Sequence, residues 1–208
     1  MSIRQKYVMF LLLSILLGLS AGNLVYAEEK TLLGDTKITH GGFGGPVVKI
    51  SMIKDAGRVF VGGRGAWIIN HKVSLGGGGY GLVSSVSGIV DNTNRYFHMG
   101  YGGFELGIIF RSDSLVHLNL ITLIGGGGAV YSRRQHDEDY HDGWKSNGGD
   151  AFFVLEPMLY LELNVTKWFR TCLGAGYRYV DGLDSFPNFS DKDLSGASVE
   201  LCFKFGKF

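Results

Sequence analysis

The sequence predicts an all-β chain: an eight-stranded antiparallel up-and-down transmembrane β-barrel preceded by a cleaved signal peptide. Three observations carry that expectation. From Gly41 onward, apolar residues recur at every second position in runs of about ten to thirteen residues, which is the period of a strand and not of a helix. The links between runs alternate between tight turns and long polar loops, as in barrels whose periplasmic turns are short. The face opposite the apolar one carries charge and glycine, the mixture that a narrow barrel interior accepts.

The N-terminus is read first. "MSIRQKY" supplies Arg4 and Lys6, "VMFLLLSILLGL" is an apolar run of secretory length, and Val25 and Ala27 occupy the small-residue positions of a cleavage site. Residues 1–27 are therefore expected to be a signal peptide, 28–40 a short periplasmic segment and 41–208 the barrel. No cysteine lies near the cleavage site to suggest lipidation. Gly accounts for 33 of 208 residues and Pro for 3, with 45% hydrophobic and 13% aromatic residues, so the chain must bury apolar surface in a core, a bilayer or both. Beyond the signal no run of 18 apolar residues occurs, so a spanning helix is not expected. Removing Arg4 and Lys6 leaves 18 basic residues against 19 acidic ones, a balance that gives no indication of a nucleic-acid partner.

Eight strands are expected near 42–53, 58–69, 72–84, 97–110, 114–129, 151–164, 167–179 and 197–207. Tight turns fall at "INHK", "RSDS" and "NVTK", and the long loops are "SVSGIVDNTNR", "RRQHDEDYHDGWKSNGGD" and "DGLDSFPNFSDKDLSG", with a shorter link "KDAG" after the first strand. An even strand number puts both termini on the periplasmic side. The strands that follow tight turns, "VSLGGGGYGL", "TLIGGGGAVY" and "RTCLGAGYRY", form a weak repeat whose unit is a hairpin. Within the first of these, Gly76, Gly78 and Gly81 match G-x-G-x-x-G, but the following "LVSSVSGIVDNTN" has no helical apolar spacing, so the dinucleotide-site context is missing. Both faces of that stretch are empty, and its phase is left unassigned.

The composition of the second face decides which side is inside. Phe104, Leu106, Ile108 and Phe110 alternate with Glu105 and Gly107; Leu159, Leu161 and Leu163 with Tyr160 and Glu162; Val199, Leu201, Phe203 and Phe205 with Glu200, Cys202 and Lys204. Glycine permits tight curvature there and leaves room for long neighbours. The inward charges are Lys49, Arg64, Arg170, Arg178 and Lys204 against Glu105, Glu156, Glu162 and Glu200, with His117 and Asn119, and their near balance predicts an internal ion-pair network. A turn centred on Thr166 would set Glu162 opposite Arg170. One centred on Ser112 would set Glu105 opposite Asn119, with His117 a diagonal step away. Cys172 and Cys202 fall on the inward face of adjacent strands, directly opposed when strand seven is aligned with the chain terminus; a disulfide and two free buried thiols both fit that placement.

These features together resemble the small eight-stranded outer-membrane barrels, of the outer membrane protein X and outer membrane protein A transmembrane-domain type, over residues 41–208. The resemblance implies an outer-membrane location, an aromatic girdle at Trp67 and Trp168, and a C-terminal Phe208 read by the barrel-assembly machinery. Phe208 is one residue out of phase with Phe203 and Phe205, which calls for a bulge at Gly206 or an approximate signal.

No cofactor or metal is expected. The nearest match to a lipid-hydrolase arrangement, His117 to Asn119, has no serine at the required spacing, and interior packing is the simpler role for Glu105, His117 and Asn119. His136, Asp137, Glu138, Asp139, His141 and Asp142, like Asp181, Asp184, Asp191 and Asp193, read as solvated loops without a defined ligand geometry. Tyr140, Trp144, Phe186 and Phe189 suit contact with a partner or with lipid headgroups, which makes loops 132–150 and 181–195 the candidate ligand surface. The function expected is a non-enzymatic barrel with a charge-plugged interior serving envelope structure or surface binding; a narrow solute channel is the alternative, and a lipid-modifying enzyme a third. A soluble secreted barrel is the structural alternative.

Overall fold

The computed structural model describes residues 38–84, 86–90, 93–133, 149–183 and 189–208. The signal-peptide assignment therefore lies outside the described residues, as does the loop cluster from His136 to Asp142 with Trp144. The strands are β1 (His40–Ile53), β2 (Ala56–Ile69), β3 (Val73–Leu82), β4 (Val86–Val90), β5 (Thr93–Phe110), β6 (Val116–Arg133), β7 (Gly149–Asn164), β8 (Phe169–Asp181) and β9 (Gly196–Lys207), with one short helix, α1 (Asp191–Leu194), before β9. They pair antiparallel in the order β3-β2-β1-β9-β8-β7-β6-β5-β4, and β3 also pairs with β5, which closes the sheet. β3 and β4 are two halves of one stave: Gly81 pairs with Gly100 of β5 and Val86 with Phe97, so the stave gains two residues at its interruption. The barrel thus has eight staves.

The β3–β5 pairing closes the sheet, leaving β4 at the long-loop end with a single partner strand, and no helix among the described residues is long and apolar enough to cross a membrane. The alternation then divides the side chains into two sets. Ile50, Phe104, Ile108, Leu159, Leu161, Leu173, Val199, Leu201 and Phe205 point outward and are each 41–56% exposed, a continuous apolar belt that a water-soluble protein does not carry. Lys49, Arg64, Glu105, Glu156, Glu162, Arg170, Arg178, Glu200 and Lys204 are all buried inside.

Two of the tight turns set the register differently from the sequence reading. The link after β7 is closed by Val165 and Thr166 N–H groups donating to the Phe169 carbonyl, while the Thr166 hydroxyl accepts from the Phe169 and Trp168 N–H groups. That wider turn places Cys172 opposite Glu162 and Arg170 opposite Asn164. The link after β5 turns through Arg111 at φ 53° with a Ser114 N–H to Arg111 carbonyl bond, and Asn119 falls opposite Ile109 while Glu105 falls opposite Leu123. The register of β9 against β1 runs without a shift through Gly206, so no bulge forms there. Phe208 accordingly follows the inward phase and stacks on Phe43, with ring centroids 6.2 Å apart.

Inward glycines have little room for a side chain. A Cβ on Gly125 would lie 2.5 Å from the Gly103 Cα, and one on Gly78 would lie 2.5 Å from Glu105 Oε1. Outward positions such as Gly44 and Gly128 leave 3.9 and 3.7 Å. Tight curvature crowds the concave side, which is why the inner wall of the "GGGG" runs is glycine.

Candidate functional site

The interior is stacked in layers. At the long-loop end Ile53, Phe60, Phe97, Met99, Tyr131, Phe152, Val154, Val180 and Leu194 form an apolar cluster, with Phe189 packed against it. Phe189 stacks on Phe97 with centroids 4.3 Å apart, and Lys54 Nζ lies 4.0 Å from its ring. α1 carries Leu194 into this layer, fully buried. The segment is pinned by the Arg178 guanidinium, which donates to the Leu194 carbonyl at 2.9 Å and the Met52 carbonyl at 3.2 Å, and by the Lys54 N–H donating to the Asp193 carbonyl. The sequence carries a faint signal for this turn in "SDKDL": Ser190 donates its N–H and hydroxyl to the Asp193 carboxylate, a capping arrangement just before an apolar residue.

Below this cap lies the first ion-pair network. Arg64 grips Glu105 through two bonds, Nε to Oε2 at 3.0 Å and Nη2 to Oε1 at 2.8 Å, and reaches Glu200 through Nη1 at 3.0 Å. Lys49 Nζ bridges Glu156 at 2.7 Å and Glu200 at 3.1 Å and sits 3.6 Å from the Tyr80 ring centroid. Tyr101 and Ser198 donate to Glu156, Tyr160 to Glu200 and Tyr80 to Glu105. The inward phase of Tyr101 and Tyr160 was readable in sequence, that of Tyr80 in the glycine run was not, and neither was the role of these hydroxyls as the remaining donors that the carboxylates need.

A second network lies nearer the short turns. Glu162 accepts from Lys204, from Arg170 at 3.2 Å and from Asn119 Nδ2 at 3.3 Å. His117 stands opposite Glu162 in register, with Nδ1 3.3 Å from the Ser114 carbonyl and Nε2 3.5 Å from both Arg170 Nη1 and Glu162 Oε1. The grouping of Glu105 with His117 and Asn119 is therefore corrected: Glu105 belongs to Arg64, and the other two belong to Glu162. Glu162 and Arg170 meet on the diagonal instead of face to face. Phe43, Ile68 and Ile109 with Phe208 close the bottom, where the Arg170 guanidinium lies 4.0 Å from the Phe208 ring centroid. Cys172 and Cys202 are directly opposed between the networks and are free thiols, so no disulfide forms in this structure.

On the outer face Trp67 and Trp168 are 48% and 60% exposed beside the short turns; Trp67 stacks on His40 and Trp168 on Phe205. Phe208, by contrast, faces the interior and is not part of that outer girdle. Among the described residues no group of three or more His, Cys, Asp or Glu is placed to hold a metal ion.

No family model matches the chain, and no curated protein matches it either. Solved structures do. Neisserial surface protein A aligns with a TM-score of 0.51 at 11% identity, covering 83% of this chain and 100% of that one. The N-terminal β-barrel domain of Pseudomonas aeruginosa OprF aligns at 0.47 and 10% identity over 80% of this chain and 96% of that one. Ail of Yersinia pestis aligns at 0.48 and 13% identity over 82% and 99%. At these identities the likeness concerns fold. A closed eight-stave barrel with an apolar belt, two interior ion-pair networks and girdle tryptophans beside its short turns has the fold of the small eight-stranded outer-membrane barrels.

Proposed function

We propose that the protein is a non-enzymatic outer-membrane barrel with a closed interior, serving envelope structure or surface binding through its long loops. The observation that carries this reading is the continuity of the filling. From Phe97 and Leu194 through Lys49, Arg64 and Glu200 to Glu162, Phe43 and Phe208, each level of the interior is occupied by mutually bonded or packed side chains. An eight-stave interior is just wide enough for side chains, so paired charges there act as a plug and leave no lining for a water column.

Planar-bilayer recording of the purified full chain tests the proposal. Traces without stable openings are expected. Stable unitary steps would overturn it in favour of a narrow solute channel.

A further inference from the structure

The charges at the short-turn end differ in kind from those inside. Lys72, Arg111, Lys167 and Lys207 are exposed, and none has a carboxylate partner among the described residues. Against these four cations the described part of that end sets Asp113 and the terminal carboxylate of Phe208. The described long-loop end is balanced instead: Lys54, Arg58, Arg95, Arg133 and Lys192 stand with Asp55, Asp150, Asp181, Asp191 and Asp193. Inside the barrel each carboxylate is ion-paired; at this rim the cations have been left for something outside the chain.

Their level in the bilayer is fixed by their neighbours. Phe110 precedes Arg111, Trp168 follows Lys167, and Lys207 continues the outward phase of Phe203 and Phe205 on β9. Phe110, Trp168, Phe205 and Leu115 are 45–69% exposed, and Trp67 completes the ring. Aromatic rings of this kind sit at the headgroup level of a membrane, so Arg111 and Lys167 beside such rings, Lys207 two residues beyond Phe205 and Lys72 in the tight turn that follows Trp67 lie at the depth of lipid phosphates. We infer that this basic rim, Lys72, Arg111, Lys167 and Lys207, binds the headgroups of anionic glycerophospholipids in the leaflet that meets the short turns, so that the barrel carries a shell of such lipids on that side.

The inference rests on the bilayer placement proposed above, and the experiment separates the two. Trp67, Trp144 and Trp168 are the 3 tryptophans of the chain, so Trp144→Phe leaves only the two at the rim as fluorophores. The full chain with that change is folded into phosphatidylcholine vesicles containing brominated phosphatidylglycerol or, at the same mole fraction, brominated phosphatidylcholine. Heat-modifiable mobility verifies the folded barrel in each sample. Quenching by the anionic lipid is expected to correspond to about threefold preferred association, the scale of a few partly screened charge contacts at a membrane surface. The preference is expected to vanish in K72Q/R111Q/K167Q/K207Q, and to fall measurably in K167Q/K207Q should the fourfold variant not fold. Equal quenching of the parent by both lipids overturns the lipid shell and leaves the bilayer placement standing. A preference that survives these substitutions overturns the assignment to these residues. Absence of quenching by either lipid overturns both readings.

Discussion

Replacing Arg64 by methionine, nearly isosteric along its stem and uncharged, probes the closed interior most directly. Arg64 donates three bonds, two to Glu105 and one to Glu200. Glu200 retains Lys49 at 3.1 Å and Tyr160 at 2.8 Å. Glu105 retains only the Tyr80 hydroxyl at 3.3 Å, and it is 3% exposed. The loss therefore concentrates on one buried carboxylate without a cation, which costs about 3–5 kcal/mol. Urea unfolding of the barrel in lipid vesicles, followed by tryptophan fluorescence, reads that difference as a lower midpoint at unchanged slope. Adding Glu105→Met removes the orphaned charge, and the double variant is expected to be more stable than Arg64→Met alone. A single-variant loss below about 1 kcal/mol, the value of an exposed pair, would refute the claim that this network is a dry plug.

Glu162→Gln should cost about 3 kcal/mol in the same titration, because Lys204 and Arg170 lose their shared carboxylate, and adding Lys204→Met should return part of it. Gly125→Ala should destabilise by about 1–3 kcal/mol through contact with the Gly103 backbone, whereas Gly128→Ala, with 3.7 Å of clearance on the outer face, should stay within about 0.5 kcal/mol. Cys172 and Cys202, 1% and 0% exposed, should resist maleimide in the folded barrel and both react after unfolding without reductant; a chain that takes up none would carry the bond between them.

Much of the architecture is legible in the order of residues. Strand alternation gives the face of each side chain because parity survives every packing detail: Glu105 between Phe104 and Leu106, or Lys204 between Phe203 and Phe205, is inward wherever its strand pairs. The turns are legible where charged or turn-forming residues break that alternation, and the expected strand ends lie within four residues of those observed except in the third stave, where the expected loop 85–95 instead holds β4 and the start of β5.

Register is not legible in the same way. A slide of two or four residues leaves every side chain on its original face, so the apolar pattern cannot distinguish Glu162 opposite Arg170 from Glu162 opposite Cys172. The turn backbone decides that, through Thr166 and through the positive φ of Arg111. Contacts across the interior lie one level further from the sequence. Lys49 reaches Glu156 from β1 to β7, and Arg64 reaches Glu105 from β2 to β5, between staves that are not paired. The phase of the glycine run, the inward turn of Phe208 and the insertion of Leu194 belong to the same level. By itself the sequence determined an inside, an outside and two unlike ends, because side-chain direction is local. The partners of each buried charge were decided only by closing the sheet, because closure sets which distant staves face one another across the axis.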